Sequence, residues 1–417
     1  MEPEYGSALF PKAKSIMDGM TKKIWIDRAL GEKLKRLVSS RPVVLVTGAR
    51  QTGKSSLLKK LFPEAEYVTF DHLNEVEAAR EAPGAFLSAR GEQTVLDEIQ
   101  YVPELFRELK IVVDNNRNKY GRWILTGSQR YELMETISES LAGRISIISL
   151  ETLSAAELRG CKHPRTADHL WLGGYPELWA CDFIDVIDYF ESYLRTYLER
   201  DLKKLVDVKN LSDFRRFVAI IASRIGQLLN YRSLSRDVGV SDTTIRAWLH
   251  ALETSGLVYL LPPFFANIGK RLAKSPKLYF ADHGLACHLL GIHSLQTWRE
   301  HNQRGSLWEN FVMMELVKNH DLKPGVDLFF YRDHSGAEID FVICRKNRIT
   351  LLEAESAERV NQRRLGFDRV ARSLEKGYKV DRLLAHEINS DRALGKKEYT
   401  SFNPIRCEAP LPHLNRI

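Results

Sequence analysis

The stretch PVVLVTGARQTGKSSLL, residues 42–58, decides the fold of this chain. Its first six residues form a short β-branched run, which is typical of a strand buried on both faces. Its middle fits the pattern G-x-x-x-x-G-K-[ST], and an apolar helical run follows. A strand, a glycine-containing loop and a helix in that order predict a loop that wraps around a phosphate group.

The residue types of this loop suit a nucleotide. Gly48 and Gly53 let the backbone turn its N–H groups toward an anion, and the start of the next helix adds partial positive charge. We expect Lys54 to reach the β- and γ-phosphates and the Ser55 hydroxyl to ligate Mg²⁺. The predicted nucleotide-binding residues are Gly48, Ala49, Arg50, Gln51, Thr52, Gly53, Lys54, Ser55 and Ser56. ATP and Mg²⁺ are therefore the expected cofactors.

Two further strand ends carry residues for the same chemistry. Asp97 and Glu98 end an apolar strand. Asp97 is expected to hold the Mg²⁺ shell, and Glu98 to orient and polarise the attacking water as general base. A third strand ends in small hydroxyl residues, of which Ser128, with Thr126 as the alternative, is expected to contact the γ-phosphate or the water.

Five apolar runs alternate with helical patterns up to about residue 160, which predicts a mainly parallel α/β sheet. The runs are Pro42–Thr47, Glu66–Phe70, Thr94–Leu96, Arg122–Leu125 and Ile145–Ile148. A helix over residues 21–40, with apolar Ile24 and Ile26, is predicted to precede them.

The composition excludes several classes of protein. The chain has 417 residues, of which 44% are hydrophobic and 28% charged, so it is neither disordered, collagen-like nor a disulfide miniprotein. Its net charge of +7 is compatible with nucleic-acid binding without requiring it. Its five scattered cysteines favour reduced thiols. Because no apolar run approaches the ~18 residues of a membrane helix and no signal-peptide pattern is seen, we expect a cytoplasmic protein with no membrane partner.

Several motifs occur together in an order that carries a family resemblance. They are Thr47–Lys54, Leu96–Gln100, Leu125–Gln129, Ser140–Arg144, Gly173–Pro176, Leu198–Asp201 and Glu338–Val342. The sequence resembles the prokaryotic AAA+ ATPases that carry a C-terminal domain of unknown function. The resemblance implies that Asp97 and Glu98 form a Walker B motif and that residues 126–128 are sensor 1. It further implies that Arg144 is an arginine finger acting on a neighbouring subunit of a homo-oligomer, the alternative being a structural arginine.

Residues 226–260 have the pattern of a helix–turn–helix followed by a short β-like segment. The first helix is expected to end at Gly239, and Ser241 to cap the second. The expected DNA-contacting residues are Thr243, Thr244, Arg246 and His250 on the outward face of the second helix, with Lys270 and Arg271 downstream. Lys274 and Lys277 belong to the same basic run and are likewise expected to meet phosphates. A module that serves only for packing is the alternative, because the second helix begins with Asp242, which repels phosphate.

The C-terminal pattern of helix, three strands and helix, the last over Asn361–Lys376, predicts a small α+β unit like a restriction-endonuclease core. The acidic residues that suggest it are Glu309, Glu315, Asp340 and Glu353. Asp340 and Glu353 would hold Mg²⁺ beside a scissile phosphate. The lysine expected two residues after Glu353 is instead Glu355, which repels the substrate. A degenerate fold that binds DNA or protein is therefore predicted, with an active nuclease as the alternative.

These patterns predict four segments. They are an ATPase core at 1–160, a helical lid or linker at 161–225, a winged helix–turn–helix at 226–300, and the degenerate endonuclease-like α+β domain at 301–417. The predicted function is Mg²⁺-dependent ATP hydrolysis to ADP, coupled to conformational change and acting on DNA or a protein client. The alternatives are a nucleotide-gated DNA-binding module with slow hydrolysis and, third, an ATP-dependent nuclease.

Overall fold

The computed structural model describes residues 24–127, 141–160, 165, 168–181, 184–197, 211–265, 275–333, 336–356, 367–375, 377–387 and 400–404. Ser128, Lys270, Arg271 and Lys274 lie outside these ranges, as do residues 198–201, so the roles assigned to them stay predictions.

A five-stranded parallel sheet forms the N-terminal part of the chain, as the sequence predicts. Its strands are β1 (Val43–Thr47), β2 (Glu66–Thr69), β3 (Thr94–Asp97), β4 (Trp123–Gly127) and β5 (Ile145–Ser149). They lie in the order β2-β3-β4-β1-β5 and all pair in parallel. Since β1 lies between β4 and β5, and β3 is next to β4, the ends of β1, β3 and β4 meet at one edge of the sheet.

Helices cover both faces of this sheet. They are α1 (Leu30–Val38), α2 (Lys54–Leu61), α3 (Leu73–Glu81), α4 (Pro83–Ser88) and α5 (Leu105–Asn115), with a 3₁₀ turn at Ile99–Tyr101. Helix α6 (Ala155–Gly160) follows the sheet and packs into the core of the middle of the chain. Val43 and Leu45 pack into the core on one face of the sheet, while Val44 and Val46 pack into the core on the other. The β-branched run of β1 is thus buried on both faces, and it fixes the strand from which the phosphate loop leaves.

The helix predicted over residues 21–40 is wrong in its first half. The described part of that segment is not helical before residue 30. Ile26 is buried, but Ile24 and Trp25 are exposed by 42% and 40%. These apolar residues line a cavity beside the phosphate loop rather than forming a helical stripe, which explains why their spacing misled the prediction.

The middle of the chain is mostly helical. Its elements are α7 (His169–Leu172), α8 (Pro176–Ala180), α9 (Val186–Tyr197), α10 (Leu211–Ala222), α11 (Tyr231–Val238), α12 (Asp242–Thr254), β6 (Val258–Leu261), β7 (Lys277–Phe280), α13 (His283–Leu289) and α14 (Leu295–Glu300). Helix α11 ends at Gly239, whose φ is +85°, and the Ser241 hydroxyl accepts a hydrogen bond from the Thr244 amide at 3.1 Å. The turn therefore has the stop and the cap that the sequence predicts. Strands β6 and β7 form an antiparallel pair after it.

The C-terminal part is a second five-stranded sheet with helices against it. Its elements are α15 (Arg304–His320), β8 (Leu328–Arg332), β9 (Glu338–Arg345), β10 (Arg348–Glu355), α16 (Phe367–Leu374), β11 (Lys379–His386) and β12 (Thr400–Phe402). The order is β12-β11-β10-β9-β8, antiparallel from β8 to β10 and parallel from β10 to β12. The sequence predicts β8, β9 and β10, whereas β11 and β12 were not predicted. Across the described parts of the chain, no helix combines the length and the apolar character that a bilayer span needs.

Candidate functional site

The phosphate loop connects β1 to α2 and depends on two glycines. Gly48 and Gly53 have φ values of +145° and +90°. A Cβ atom on Gly48 would lie 2.2 Å from the carbonyl oxygen of Leu150, so no other residue fits there. Gly53 stands directly before α2 in a left-handed conformation that a side chain would strain. The loop thus follows the path that its glycines predict.

The predicted phosphate-binding lysine lies inside this loop. The side chain of Lys54 is buried, and its ammonium donates hydrogen bonds to the carbonyl oxygens of Gly48 and Ala49 at 3.1 and 2.9 Å. The positive charge is therefore held at the centre of the loop, where a phosphate would meet it.

Asp97 is the centre of a hydroxyl network next to the loop. The Ser55 hydroxyl donates to both carboxylate oxygens of Asp97 at 3.0 Å. The hydroxyls of Thr126 and Tyr67 donate to the same carboxylate. Burial and the bond to Asp97 raise the pKa of Tyr67, which keeps that hydroxyl protonated as a donor. The structure therefore brings Ser55 and Asp97 together, as predicted, and adds Tyr67, which the sequence analysis missed.

The predicted general base lies at the mouth of the same site. Glu98 has a φ of +58°, its amide donates to the Thr126 hydroxyl at 3.1 Å, and its carboxylate accepts a hydrogen bond from Gln100. Thr126 is thus held between Asp97 and Glu98 and fixes their relative position. Thr126 therefore orients Asp97 and Glu98, a role that differs from the γ-phosphate contact predicted for it as the alternative to Ser128.

A cavity of about 360 Å³ opens over the phosphate loop. It is lined by Arg50, Gln51, Gly53, Lys54, Ser55, Ser56, Glu98, Tyr193 and Thr196. Tyr193 and Thr196 belong to α9, whose Tyr189 hydroxyl donates to the Gln51 side-chain oxygen at 2.8 Å. Helix α9 therefore lies against the loop as part of the site.

A second cavity of about 380 Å³ adjoins the first and shares three of its residues. It is lined by Ile24, Trp25, Ile26, Arg28, Gln51, Thr52, Gly53, Ser56, Leu153, Pro176, Glu177 and Ala180. Its largely apolar wall comes from the segment before α1 and from α8. No pattern in the sequence predicts this cavity.

Arg28 ties that wall to the phosphate loop. Its guanidinium donates to the carbonyl oxygens of Thr52 and Glu151 at 2.8 and 2.6 Å and pairs with the Glu157 carboxylate at 3.1 Å. Because the Arg28 and Glu157 side chains are only 7% and 8% exposed, this pair is shielded from water, and it holds the guanidinium in place to bind the Thr52 carbonyl oxygen of the loop.

Arg144 lies directly before β5, at the end of the sheet opposite the phosphate loop. Its Nε and Nη2 atoms contact the two Asp114 carboxylate oxygens at 2.7 and 2.9 Å. This bidentate pair is what a structural arginine would make. An action of Arg144 on a neighbouring subunit stays a prediction.

The predicted DNA-contacting face of α12 is exposed at Thr243, Arg246 and His250, while Thr244 is half-buried. Both threonine hydroxyls lie within 2.8 Å of the Ser241 hydroxyl, and the Arg246 guanidinium stands 3.9 Å from the centre of the Tyr231 ring. Part of this face is thus engaged in holding the turn together.

The four acids assigned to an endonuclease-like centre do not form one group. Glu309 and Asp340 lie around the ammonium of Lys277, together with Glu338. Glu315 instead accepts hydrogen bonds from the Ala155 amide at 3.1 to 3.2 Å, at the start of α6, and burial raises its pKa to about 7. The expectation that Lys277 meets phosphates is wrong, because its side chain is only 4% exposed and fully paired.

Family comparisons divide the chain into three matched parts. Residues 40–159 match an AAA domain, residues 164–296 match the domain of unknown function DUF8612, and residues 304–402 match the domain of unknown function DUF4143. The uncharacterized proteins Rv2008c of Mycobacterium tuberculosis and Mb2031c of Mycobacterium bovis are each 35% identical over 319 residues, which is 76% of this chain and 70% of theirs.

Two solved structures are distantly similar to this chain. The Walker-type ATPase PABY2304 of Pyrococcus abyssi is 18% identical, with a TM-score of 0.42 over 64% of this chain and 96% of that one. The RuvB Holliday junction branch migration motor of Thermotoga maritima is 16% identical, with a TM-score of 0.29 over 58% of this chain and 92% of that one. On the family matches and the mycobacterial relatives, this chain belongs to the P-loop ATPase family that joins an AAA domain to a C-terminal DUF4143 domain.

Proposed function

We propose that the protein binds ATP with Mg²⁺, hydrolyses it, and couples the nucleotide state to a change of conformation. The contact between Ser55 and Asp97 carries this proposal. The hydroxyl lies 3.0 Å from each carboxylate oxygen, directly after a buried lysine and a cradle of backbone amides. A loop hydroxyl and a Walker B aspartate are the two side chains that share one metal ion in P-loop ATPases.

The donor set fits Mg²⁺, which prefers hard oxygen ligands and retains several waters. Ser55 would ligate the ion directly and Asp97 would hold its shell. When bound, the ion neutralises charge that develops on the β- and γ-phosphate oxygens. Tyr67 and Thr126 keep the Asp97 carboxylate in place through their hydrogen bonds.

The remaining steps belong to the chain's own residues. The loop amides and Lys54 bind the phosphates. The apolar cavity beside Arg28 binds the adenine ring of the nucleotide and excludes water around it. Glu98 orients the attacking water and accepts its proton, while Gln100 and Thr126 hold the side chain and the backbone of Glu98. Ser128 stays a predicted contact of the γ-phosphate.

Phosphate release and ATP affinity of the full chain test this assignment. We expect Lys54→Ala to lose ATP binding. Glu98→Gln should bind ATP normally but turn over at least about 100-fold more slowly, since general-base catalysis is worth about 10²–10⁴. Lys110→Ala and Glu92→Gln, which change exposed residues of the same types, serve as controls and should behave as wild type.

The outcomes separate the alternatives. Full turnover by Glu98→Gln would show that another group is the general base. Unchanged ATP binding by Lys54→Ala would show that the phosphate loop is not where ATP binds. Tight ATP binding by a wild-type protein that releases almost no phosphate would favour the nucleotide-gated module over the ATPase.

We further propose that Arg144 completes the site of a neighbouring subunit. An ATPase rate per subunit that rises with protein concentration, and that falls in Arg144→Ala, supports such a shared site. A rate independent of concentration, together with an Arg144→Ala variant that loses only stability, would leave Arg144 as the partner of Asp114.

The exposed face of α12 supports DNA as the macromolecular partner, with a protein client as the other outcome. Binding that weakens steeply with salt, and that is reduced in Arg246→Ala and His250→Ala, would support DNA. A DNA affinity that does not depend on salt concentration would favour a protein client as the partner.

A further inference from the structure

Lys277 lies at an unusual place for a lysine. Its ammonium is 3.0 Å from Glu309, 2.8 Å from Glu338 and 3.7 Å from Asp340, and only 4% of the side chain is exposed. The lysine comes from β7, next to the helix–turn–helix, whereas the acids come from α15 and β9. An ammonium has three donors, and three carboxylates surround this one.

We propose that Lys277 is the resident cation of this acid centre. The ammonium takes the place that a divalent ion would take between Glu309 and Asp340, and it fastens the β6–β7 pair to the C-terminal sheet. Asp340, one of the two acids predicted to hold Mg²⁺, is thus part of a built-in ion-pair clasp, and this centre does not cut phosphodiesters.

The surroundings of the centre leave its other faces occupied by protein groups. The second oxygen of Asp340 accepts a hydrogen bond from the Ala354 amide at 2.9 Å. The Tyr279 hydroxyl donates to Glu309, and the Gly226 backbone approaches the other Glu309 oxygen so closely that a Cβ there would stand 3.0 Å from it. An octahedral Mg²⁺ needs six oxygens around it, with room for waters, so it would have to displace both the lysine and these groups.

The opposite flank of the β6–β7 connection is attached to the same sheet. The Phe330 amide donates to the Pro262 carbonyl oxygen at 3.2 Å, and the Phe264 amide donates to that of Phe330 at 2.5 Å. The Phe264 and Phe329 rings lie 5.9 Å apart. In the described part of this segment, residues 262–264 and Lys277 are thus both attached to the C-terminal sheet, so the clasp is not an accidental surface pair.

The charge of Lys277 distinguishes this clasp from a metal site. Three acidic side chains face one ammonium, and the nearby guanidinium of Arg332 lies 3.7 Å from Glu338 alone among them. Removing the Lys277 charge without removing the acids should therefore give this centre an affinity for divalent cations that it does not have in the wild-type protein.

Mn²⁺ binding to the nucleotide-free full chain, measured by electron paramagnetic resonance, tests this inference. We expect Lys277→Met to bind Mn²⁺ at least tenfold more tightly than wild type, and Asp340→Asn added to that variant to abolish the gain. Mn²⁺ should raise the melting temperature of Lys277→Met by several degrees more than that of the wild-type protein, because only the variant binds the ion at this centre. Lys33→Met, which breaks a more exposed ion pair with Asp321, is the control and should gain no Mn²⁺ affinity.

Wild-type Mn²⁺ binding that Asp340→Asn abolishes would overturn the proposal, because the centre would then hold a metal despite the lysine. A Lys277→Met protein that is as stable as wild type and gains no Mn²⁺ affinity would also overturn it. If Lys277→Met does not fold, the comparison of wild type with Asp340→Asn still decides the first point. Lys277→Arg, which keeps the charge, should then restore folding.

Discussion

Gly173 occupies a position where a single methyl group should have a large effect. It lies between α7 and α8 with φ +78° and ψ −164°, a region that only glycine adopts readily. A Cβ there would stand 2.2 Å from Oδ1 of Asp282 and 2.8 Å from the Cα of Gly284. The same carboxylate caps α13 through the Gly284 and Leu285 amides and binds the Gly174 amide at 2.8 Å.

These contacts set the expected cost of Gly173→Ala. Backbone strain in this region is worth about 1–3 kcal/mol. Displacing Asp282 weakens hydrogen bonds to a charged acceptor, each worth about 1.5–3 kcal/mol. We therefore expect a local loss of roughly 3–5 kcal/mol. Gly291→Ala is the matched control, since Gly291 has φ +73° at the end of α13 and a Cβ there meets nothing within 4 Å, so only strain of about 1 kcal/mol applies.

Amide hydrogen exchange in peptides from residues 169–180 and 282–289, followed by mass spectrometry, measures this difference locally. The losses of local stability in the two variants should differ by about 2–4 kcal/mol, and 2 kcal/mol already corresponds to exchange roughly 30-fold faster in Gly173→Ala. If the two variants exchange at the same rate, the close approach of Gly173 to Asp282 contributes nothing and the argument from packing fails.

Two further predictions concern pH and the metal. Burial lowers the pKa of His283 to about 4, so the folded protein stays unprotonated there while the unfolded chain takes up a proton near pH 6.5. The contribution of His283 to stability should therefore be complete above pH 6.5 and fall by about 2 kcal/mol between pH 7 and pH 5. Urea unfolding at both pH values should show a loss of stability that is smaller by this amount in His283→Asn and unchanged in the exposed His72→Asn. An equal loss in all three proteins would contradict the expectation. Tyr67→Phe removes one hydrogen-bond donor to Asp97, and a hydrogen bond to a charged group is worth about 1.5–3 kcal/mol. The Mg²⁺ concentration for half-maximal ATPase activity should therefore rise about tenfold in Tyr67→Phe and stay the same in Tyr120→Phe, which changes a tyrosine at the surface. An unchanged Mg²⁺ requirement in Tyr67→Phe would exclude Tyr67 as a positioning residue.

The sequence was most informative where one element carries the whole signal. The run before Gly48, the loop and the start of α2 are contiguous, so their order predicts the strand, the turn and the helix N-terminus together. The turn between α11 and α12 was equally local, because Gly239 and Ser241 supply its stop and its cap.

Features built from distant segments could not be read in the same way. The second cavity joins residues 24–28 to Leu153 and to α8, and no local pattern connects them. Tyr67 reaches Asp97 only because β2 and β3 are neighbours, which depends on strand order. Lys277 resembled its basic neighbours in sequence, and only the packing of β7 against α15 turns it inward.

A short piece of backbone after β5 gives the proposed coupling a physical route. At one end, the carbonyl oxygen of Leu150 would touch any side chain at Gly48, so the phosphate loop lies directly on it. At the other end, the carbonyl oxygen of Leu153 accepts a hydrogen bond from Lys318 at 3.0 Å, and the Ala155 amide is held by Glu315. Lys318 and Glu315 belong to α15, which also carries Glu309 of the clasp. A loop that shifts on ATP hydrolysis would therefore push on a segment that is fixed to the C-terminal domain only five residues further along, and close packing transmits such a shift because it leaves no slack.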